Sequence, residues 1–206
     1  VSESAGSASL DREYFFVIDD VFQQINLEEE VITGLSGFYK GKELTCCESE
    51  PGIIKEDLKR GDIVCVSLNK DNEIKKLEKR FYNGEKPDDA PTDSISVENP
   101  MGPTTHDPYW SLFMIYGTIE ARDGNVVRIK ADTSLGQTLS QPKYENIIVN
   151  IASSNLYKYI YDSEHKEVRI ATEDDFIDAE TLGEEDALKV VCRINSGDML
   201  DIVILK

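Results

Sequence analysis

Asp57-Leu58-Lys59-Arg60-Gly61-Asp62-Ile63-Val64-Cys65-Val66-Ser67-Leu68-Asn69, followed after a polar turn by Ile74 to Phe81, decides the fold class. Val64, Val66 and Leu68 recur at every second position, as one buried face of a strand requires. Lys70-Asp71-Asn72 turns the chain and Ile74 to Phe81 returns antiparallel. Ahead of it, Glu56 and Asp57 precede Lys59, Arg60 and Gly61, a charge order and terminal glycine that predict one helical turn over 53–59. A similar hairpin closes the sequence: Leu188 to Asn195 and Met199 to Leu205 around Ser196-Gly197-Asp198. Set against each other without a gap, Val64, Val66 and Leu68 fall on Val190, Cys192 and Ile194, and Ile74 and Leu77 fall on Leu200 and Val203. The shared alternation predicts two units of common ancestry.

Outward from these hairpins the rest reads as short strands. Tyr14 to Ile25 and Val31 to Tyr39 form a hairpin across Asn26 to Glu30, and Glu43 to Glu48 follows as a third strand. Gly34, Gly37 and Gly41 mark a turn or bulge region. In the second half, Leu112 to Ala121 and Val126 to Ala131 flank Asp123-Gly124, a hairpin signal that tolerates the positive φ of a type I′ turn. Ile147 to Ala152, Leu156 to Tyr161 and Val168 to Thr172 are further strands, and Glu173 to Asp186 is an acidic connection with a helical turn at Asp174 to Ile177. Between the halves, 83–108 holds Pro87, Pro91, Pro100, Pro103 and Pro108 with few core-forming residues, and reads as a linker. The expected organisation is a flexible segment over 1–13, a first β unit over 14–82, the linker over 83–108 and a second β unit over 109–206. The expected fold is mostly β: two small barrels or sandwiches, of the oligonucleotide-binding or SH3 type, joined by a proline-rich linker. Val1 to Leu10 is small and polar with no apolar run, and is read as interior to a longer or processed protein.

Charge narrows the partners. The 206 residues carry 22 Lys and Arg against 40 Asp and Glu, a net charge of −18. A polyphosphate needs a basic surface, so nucleic acid is not an expected partner, and anionic membranes are disfavoured for the same reason. No apolar run approaches the ~20 residues of a membrane helix. Cys46, Cys47, Cys65 and Cys192 contain no metal-binding spacing and are read as small apolar filler, with a Cys46–Cys65 disulfide as the one candidate pairing.

The stretch 57–64, followed by Ser67-Leu68-Asn69, Asp71 and Glu73-Ile74, resembles a recurrent hairpin in the β-rich repeat regions of surface proteins from Gram-positive anaerobes, which carry S-layer-homology modules elsewhere in their chains. Gly117-Thr118-Ile119 with the Asp123-Gly124-Asn125 turn and Val127 to Ile129 is similar to a second hairpin of those regions. The resemblance implies an extracellular, cell-surface location and a structural role, with other surface-protein copies or cell-wall polymer as partners.

Chemistry is sparse by comparison. There is no GxSxG, no phosphate-cradling glycine motif, and His106 and His165 fall in the linker and in a turn. Calcium is the ion that Asp88, Asp89 and Asp93, or Asp174, Asp175 and Asp178, could take, though neither set has the EF-hand spacing; no cofactor is otherwise expected. The sharpest feature is Tyr157, Tyr159 and Tyr161, which at period two share one strand face. A tyrosine row can stack on sugars or form a packing face, and Trp110 could dock beside it. The expected function is a non-enzymatic spacer and assembly module; the alternative is a carbohydrate- or wall-polymer-binding module that uses the tyrosine row.

Overall fold

The computed structural model describes residues 14–55, 57–81, 113–131, 146–195 and 198–206. The N-terminal segment, the linker and Trp110 therefore lie outside the described residues, as do His106, Asp88, Asp89 and Asp93. The chain divides into two compact units at Asn83/Gly84, and is mostly β, with one sheet in each unit.

In the first unit β1 (Phe16–Ile25), β2 (Val31–Tyr39), β3 (Lys42–Cys47), β4 (Ile63–Leu68) and β5 (Ile74–Phe81) form a sheet of order β3-β2-β1-β4-β5. The alternating residues Phe16, Ile18, Leu35, Cys46, Val64, Val66 and Ile74 build its core, joined by Leu58 from the connection before β4. Phe15, Val17, Ile63 and Cys65 point to the other face and are also fully buried. This is why Ile63 to Val66 is an unbroken apolar run.

In the second unit β6 (Phe113–Asp123), β7 (Val126–Ala131), β8 (Asn146–Asn150), β9 (Tyr157–Asp162), β10 (Glu167–Ile170), β11 (Lys189–Asn195) and β12 (Asp198–Leu205) run in the order β10-β9-β12-β11-β6-β7-β8. Read from the other end, β8-β7-β6-β11-β12 repeats the succession β3-β2-β1-β4-β5 strand for strand. Each long first strand carries one extra residue against its hairpin partner, Asp19 after Ile18 and Glu120 after Ile119. Ile18 N donates to Asp62 O and Ile119 N to Leu188 O, both at 3.0 Å. Such a bulge bends the strand, so that its first half pairs β4 or β11 while the hairpin continues beyond. The core here is Ile119, Val127, Ile129, Ile160, Val190, Cys192, Ile202 and Ile204, covered by Phe176 from the connection 171–188. That connection contains a 3₁₀ turn over Glu173–Asp175 and the one-turn helix α1 (Ala179–Leu182).

Several expectations are corrected. Among the described residues neither sheet closes into a barrel. Among the described residues of the first unit β3 and β5 meet only at a parallel bridge between Glu48, which follows β3, and Ile74. Beside this bridge the buried Glu48 carboxylate takes the amide of Thr33 at 2.8 Å and that of Ile54. Asp62 accepts from Lys59 N at 2.9 Å, an amide that a helix over 53–59 would turn to the carbonyl four residues before it, and no helix forms among its described residues. Cys46 faces the first core while Cys65 faces away from it, and β1 and β2 separate their strands, so both are free thiols. Gly34 and Gly37 lie inside β2, where Gly37 sits so close to β1 that a Cβ would stand 2.1 Å from Val17 O. The type I′ conformation belongs to Lys40-Gly41, with φ of 50° and 74°, whereas in the Gly124-Asn125 loop Gly124 alone has positive φ.

The two closing hairpins match with a one-residue offset. Leu68 pairs Ile74 and Val66 pairs Leu77; Ile194 pairs Met199 and Cys192 pairs Ile202. The equivalents of Ile74 and Leu77 are thus Met199 and Ile202, not Leu200 and Val203, because the second turn is one residue shorter. A slip of one residue exchanges the two sheet faces.

Candidate functional site

The densest group of polar side chains lies where the connection 171–188 crosses the second sheet. β6 continues past its bulge and so brings Arg122 under this segment. Arg122 Nη1 donates to Glu173 O at 2.6 Å and Phe176 O at 3.0 Å, and its Nε donates to Gly124 O at 2.7 Å. Its backbone amide donates to Asp178 Oδ2 at 3.0 Å, while Asp178 Oδ1 caps α1 through Thr181 N at 2.9 Å. Arg169 on β10 grips Asp175 with both nitrogens, at 2.7 and 2.6 Å, and Asp175 also accepts from Thr172 N at 2.8 Å. Lys158, on the core-facing side of β9, donates to Ile151 O and to Glu173 Oε1 at 2.9 Å. These bonds seat Phe176, which has no exposed surface.

A second cluster closes the β9–β10 turn. Asp162 Oδ1 accepts from the amides of Glu164 and His165 at 3.1 and 3.0 Å; Oδ2 meets His165 Nδ1 at 3.0 Å and Lys206 Nζ at 3.2 Å. Ser163 donates its hydroxyl to Lys206 O at 2.8 Å.

The electrostatics follow the bonds. The Arg169 guanidinium holds the Asp175 carboxyl down to about 2. The backbone amide of His165, and then its ring, hold Asp162 well below the usual carboxylate range. Asp178 is lowered by its bonds to Thr181, and Glu173 by its bond to Lys158. The Asp162 carboxylate raises His165 in turn. Burial pushes the Cys46 thiol up to about 12 and raises Cys192 as well; burial followed by the Glu73 and Glu48 charges raises Cys47. Asp162, Glu173, Asp175 and Asp178 are thus stabilised in their charged form and these thiols in their neutral form. An acid or nucleophile tuned for reaction near neutral pH shows the opposite shifts.

The tyrosine row is placed as alternation requires, with Tyr157, Tyr159 and Tyr161 on the face opposite Ile160. Tyr159 is 0% exposed and Tyr161 9%, while Tyr157 is half-buried. Of the aspartates considered for calcium, Asp175 and Asp178 are committed to Arg169 and to the α1 cap, and Asp174 is exposed. Among the described residues no group of three or more His, Cys, Asp or Glu side chains is arranged to hold a metal ion.

Two shallow clefts adjoin the connection. One, of about 300 Å³, lies between Arg122 and Asp178 over Phe176. The other, of about 360 Å³, is lined by Thr118, Lys130 and Lys189 with Glu120 and Glu184. There Lys189 Nζ is bonded to the Thr118 hydroxyl at 2.7 Å and Glu120 is paired with Arg128 at 2.7 Å. The clamps by Arg122 and Lys158 were not foreseeable from periodicity, because each basic side chain is matched to carbonyls and carboxylates far along the sequence. Compared with protein-family models, with curated proteins and with solved structures, the chain shows no match.

Proposed function

We propose that the chain is a non-enzymatic pair of β units from a cell-surface protein, acting as spacer and assembly module. The observation that carries this reading is the use made of the ionised groups: Arg122, Lys158, Arg169, Asp162, Asp175 and Asp178 all brace turns, caps and connections. Each unit is an open variant of the five-stranded oligonucleotide-binding barrel, used here as a frame. The common strand order supports this, as does a parallel contact in each unit, Glu48 with Ile74 and β9 with β12. The correspondence also favours duplication of one ancestral unit.

Assembly with further copies, or with wall polymer, would use sheet edges. β8 and β10 are the outermost strands of the described second sheet, and they present Ile148 at 64% and Ile170 at 46% exposure. The −18 charge opposes self-association until it is screened. Sedimentation at rising protein concentration is therefore expected to show association promoted by salt and weakened by Ile148→Lys. A monomer at every salt and concentration that also fails to retain cell-wall polymer would overturn the reading, as would turnover of an ester, glycoside or peptide substrate. Sugar stacking on the tyrosine row needs open ring faces, and the burial of Tyr159 favours the packing role. Glycan binding abolished by Tyr159→Ala, with stability retained, would reverse that preference.

A further inference from the structure

The turns Asn26–Glu30 and Asn69–Glu73 are built alike. In each, the asparagine Oδ1 accepts the amides two and four residues on: Glu28 and Glu30 at 3.0 and 2.8 Å, Asp71 and Glu73 at 2.9 and 2.8 Å. The asparagine Nδ2 donates to the glutamate four residues on, at 3.2 Å in the first and 2.6 Å in the second. The backbone amide of each asparagine donates to that glutamate's carbonyl at 2.9 Å. The fourth residue takes positive φ in both, 63° at Glu29 and 61° at Asn72. The frame is closed by its own hydrogen bonds, none of them made by the second residue's side chain. That residue is Lys70 in one turn and Leu27 in the other.

Lysine shows that the slot accepts a charged, solvated side chain. Leucine there stands fully in solvent, at 103% exposure. Beside it Ile25 and Val31, paired across the hairpin, are 70% and 57% exposed. Three neighbouring large apolar side chains at the end of a hairpin meet no need of the turn, and each is more exposed than Val126, Ile170 or Ile177. Glu28, Glu29 and Glu30 border them, and all three are exposed.

We infer that the β1–β2 hairpin tip is a docking peg for a partner protein whose contact surface is apolar and flanked by lysine or arginine. Ile25, Leu27 and Val31 are the anchors and Glu28 to Glu30 the charged rim, which orients the encounter and excludes acidic partners. The same carboxylates oppose an anionic lipid surface, and a second copy of the chain brings another −18 charges. The peg does not depend on the edge-to-edge assembly proposed above.

The test uses a defined probe: a labelled amphipathic helical peptide of leucine and lysine, with a leucine–glutamate peptide of the same pattern as control. The whole chain is expected to bind the lysine peptide and not the glutamate peptide. Leu27→Gln is expected to weaken binding at least tenfold with an unchanged melting temperature, since the sister turn carries a polar side chain at that position. Ile25→Thr/Val31→Thr, which keeps β-branched residues in the strands, is expected to do the same. Equal binding by wild type and Leu27→Gln would show attraction by net charge alone and overturn the proposal. So would Leu27-dependent binding to phosphatidylcholine or phosphatidylserine vesicles, or Leu27-dependent self-association in sedimentation. Loss of association in Ile148→Lys, by contrast, bears only on the edges.

Discussion

The two units order their central strands identically and finish their sheets differently. Among its described residues the first stops at a single parallel bridge, where the Glu48 carboxylate holds the Thr33 and Ile54 amides. The second continues: β9 pairs β12 in parallel over Tyr157–Tyr161 and Asp201–Leu205, β10 adds a further strand, and the connection 171–188 is clamped onto the core. The bulge is shared but its acidic residue is held differently, Asp19 by Arg60 at 3.1 Å and Glu120 by Arg128 at 2.7 Å. One frame thus tolerates two ways of protecting an edge, and the charged residues vary with the edge while the bulge remains.

The sharpest difference at matched positions is a pair on the closing hairpin. Arg193 stands opposite Asp201, and both are fully buried; the corresponding pair in the first unit is buried Ser67 opposite exposed Lys76. Arg193→Met leaves the buried Asp201 opposite an apolar side chain and is expected to destabilise the second unit by about 3–5 kcal/mol. Adding Asp201→Leu should recover most of that loss, because the corresponding positions of the first unit, Ser67 and Lys76, do not carry two opposite charges. Chemical denaturation of the four variants of this cycle measures it; no recovery in the double variant would mean that the pair is specific to the second unit's fold.

Gly37→Ala places a methyl group against the β1 backbone and should cost the first unit about 1–3 kcal/mol, read as faster amide exchange in β1 and β2 with the second unit unaffected. Glu48→Ala leaves the Thr33 and Ile54 amides without their acceptor, a cost of about 1–3 kcal/mol at a buried site. It should be confined to the β3 end, and protection lost throughout both units would contradict the edge role given to Glu48.

The smallest effect is on pH dependence, and it distinguishes the β9–β10 turn. His165 is raised from 6.5 by Asp162, so its contribution is complete below that value and fades as pH rises through the raised one. Asp162 and Asp175 are lowered from 3.8, so theirs is complete above that value and fades as pH falls through the lowered ones. Stability of the second unit should therefore be greatest between about 4 and 6.5. His165→Gln should flatten the alkaline side of a melting-temperature profile and leave the acid side sloping.

Much of this fold was legible in alternation, because period-two patterning and turn residues are local signals. β2, β5 and β7 have the ends read from sequence, and the other strands differ by a few residues at their termini. What was illegible depended on distant partners. The charges over 53–59 suit a helix, but Asp62 takes the Lys59 amide. Cys46 and Cys65 are close in sequence yet face opposite ways. The hairpin match beyond Asn69 shifted by one residue because a shorter turn leaves no trace in alternation. Leu27 leaves no trace in alternation because it sits in a turn, where exposure and not periodicity carries the signal. The tyrosine row was legible as a row, but its burial was not.

The central claim, that the ionised side chains of the second unit serve architecture, is tested most directly by a carboxyl-carbon NMR titration of the intact chain. Asp162, Asp175 and Asp178 are expected to titrate below the ordinary carboxylate range, each moved back toward it when His165, Arg169 or Thr181, respectively, is replaced by alanine. Any of the three titrating upward toward neutrality, as a proton-transferring acid would, contradicts the account.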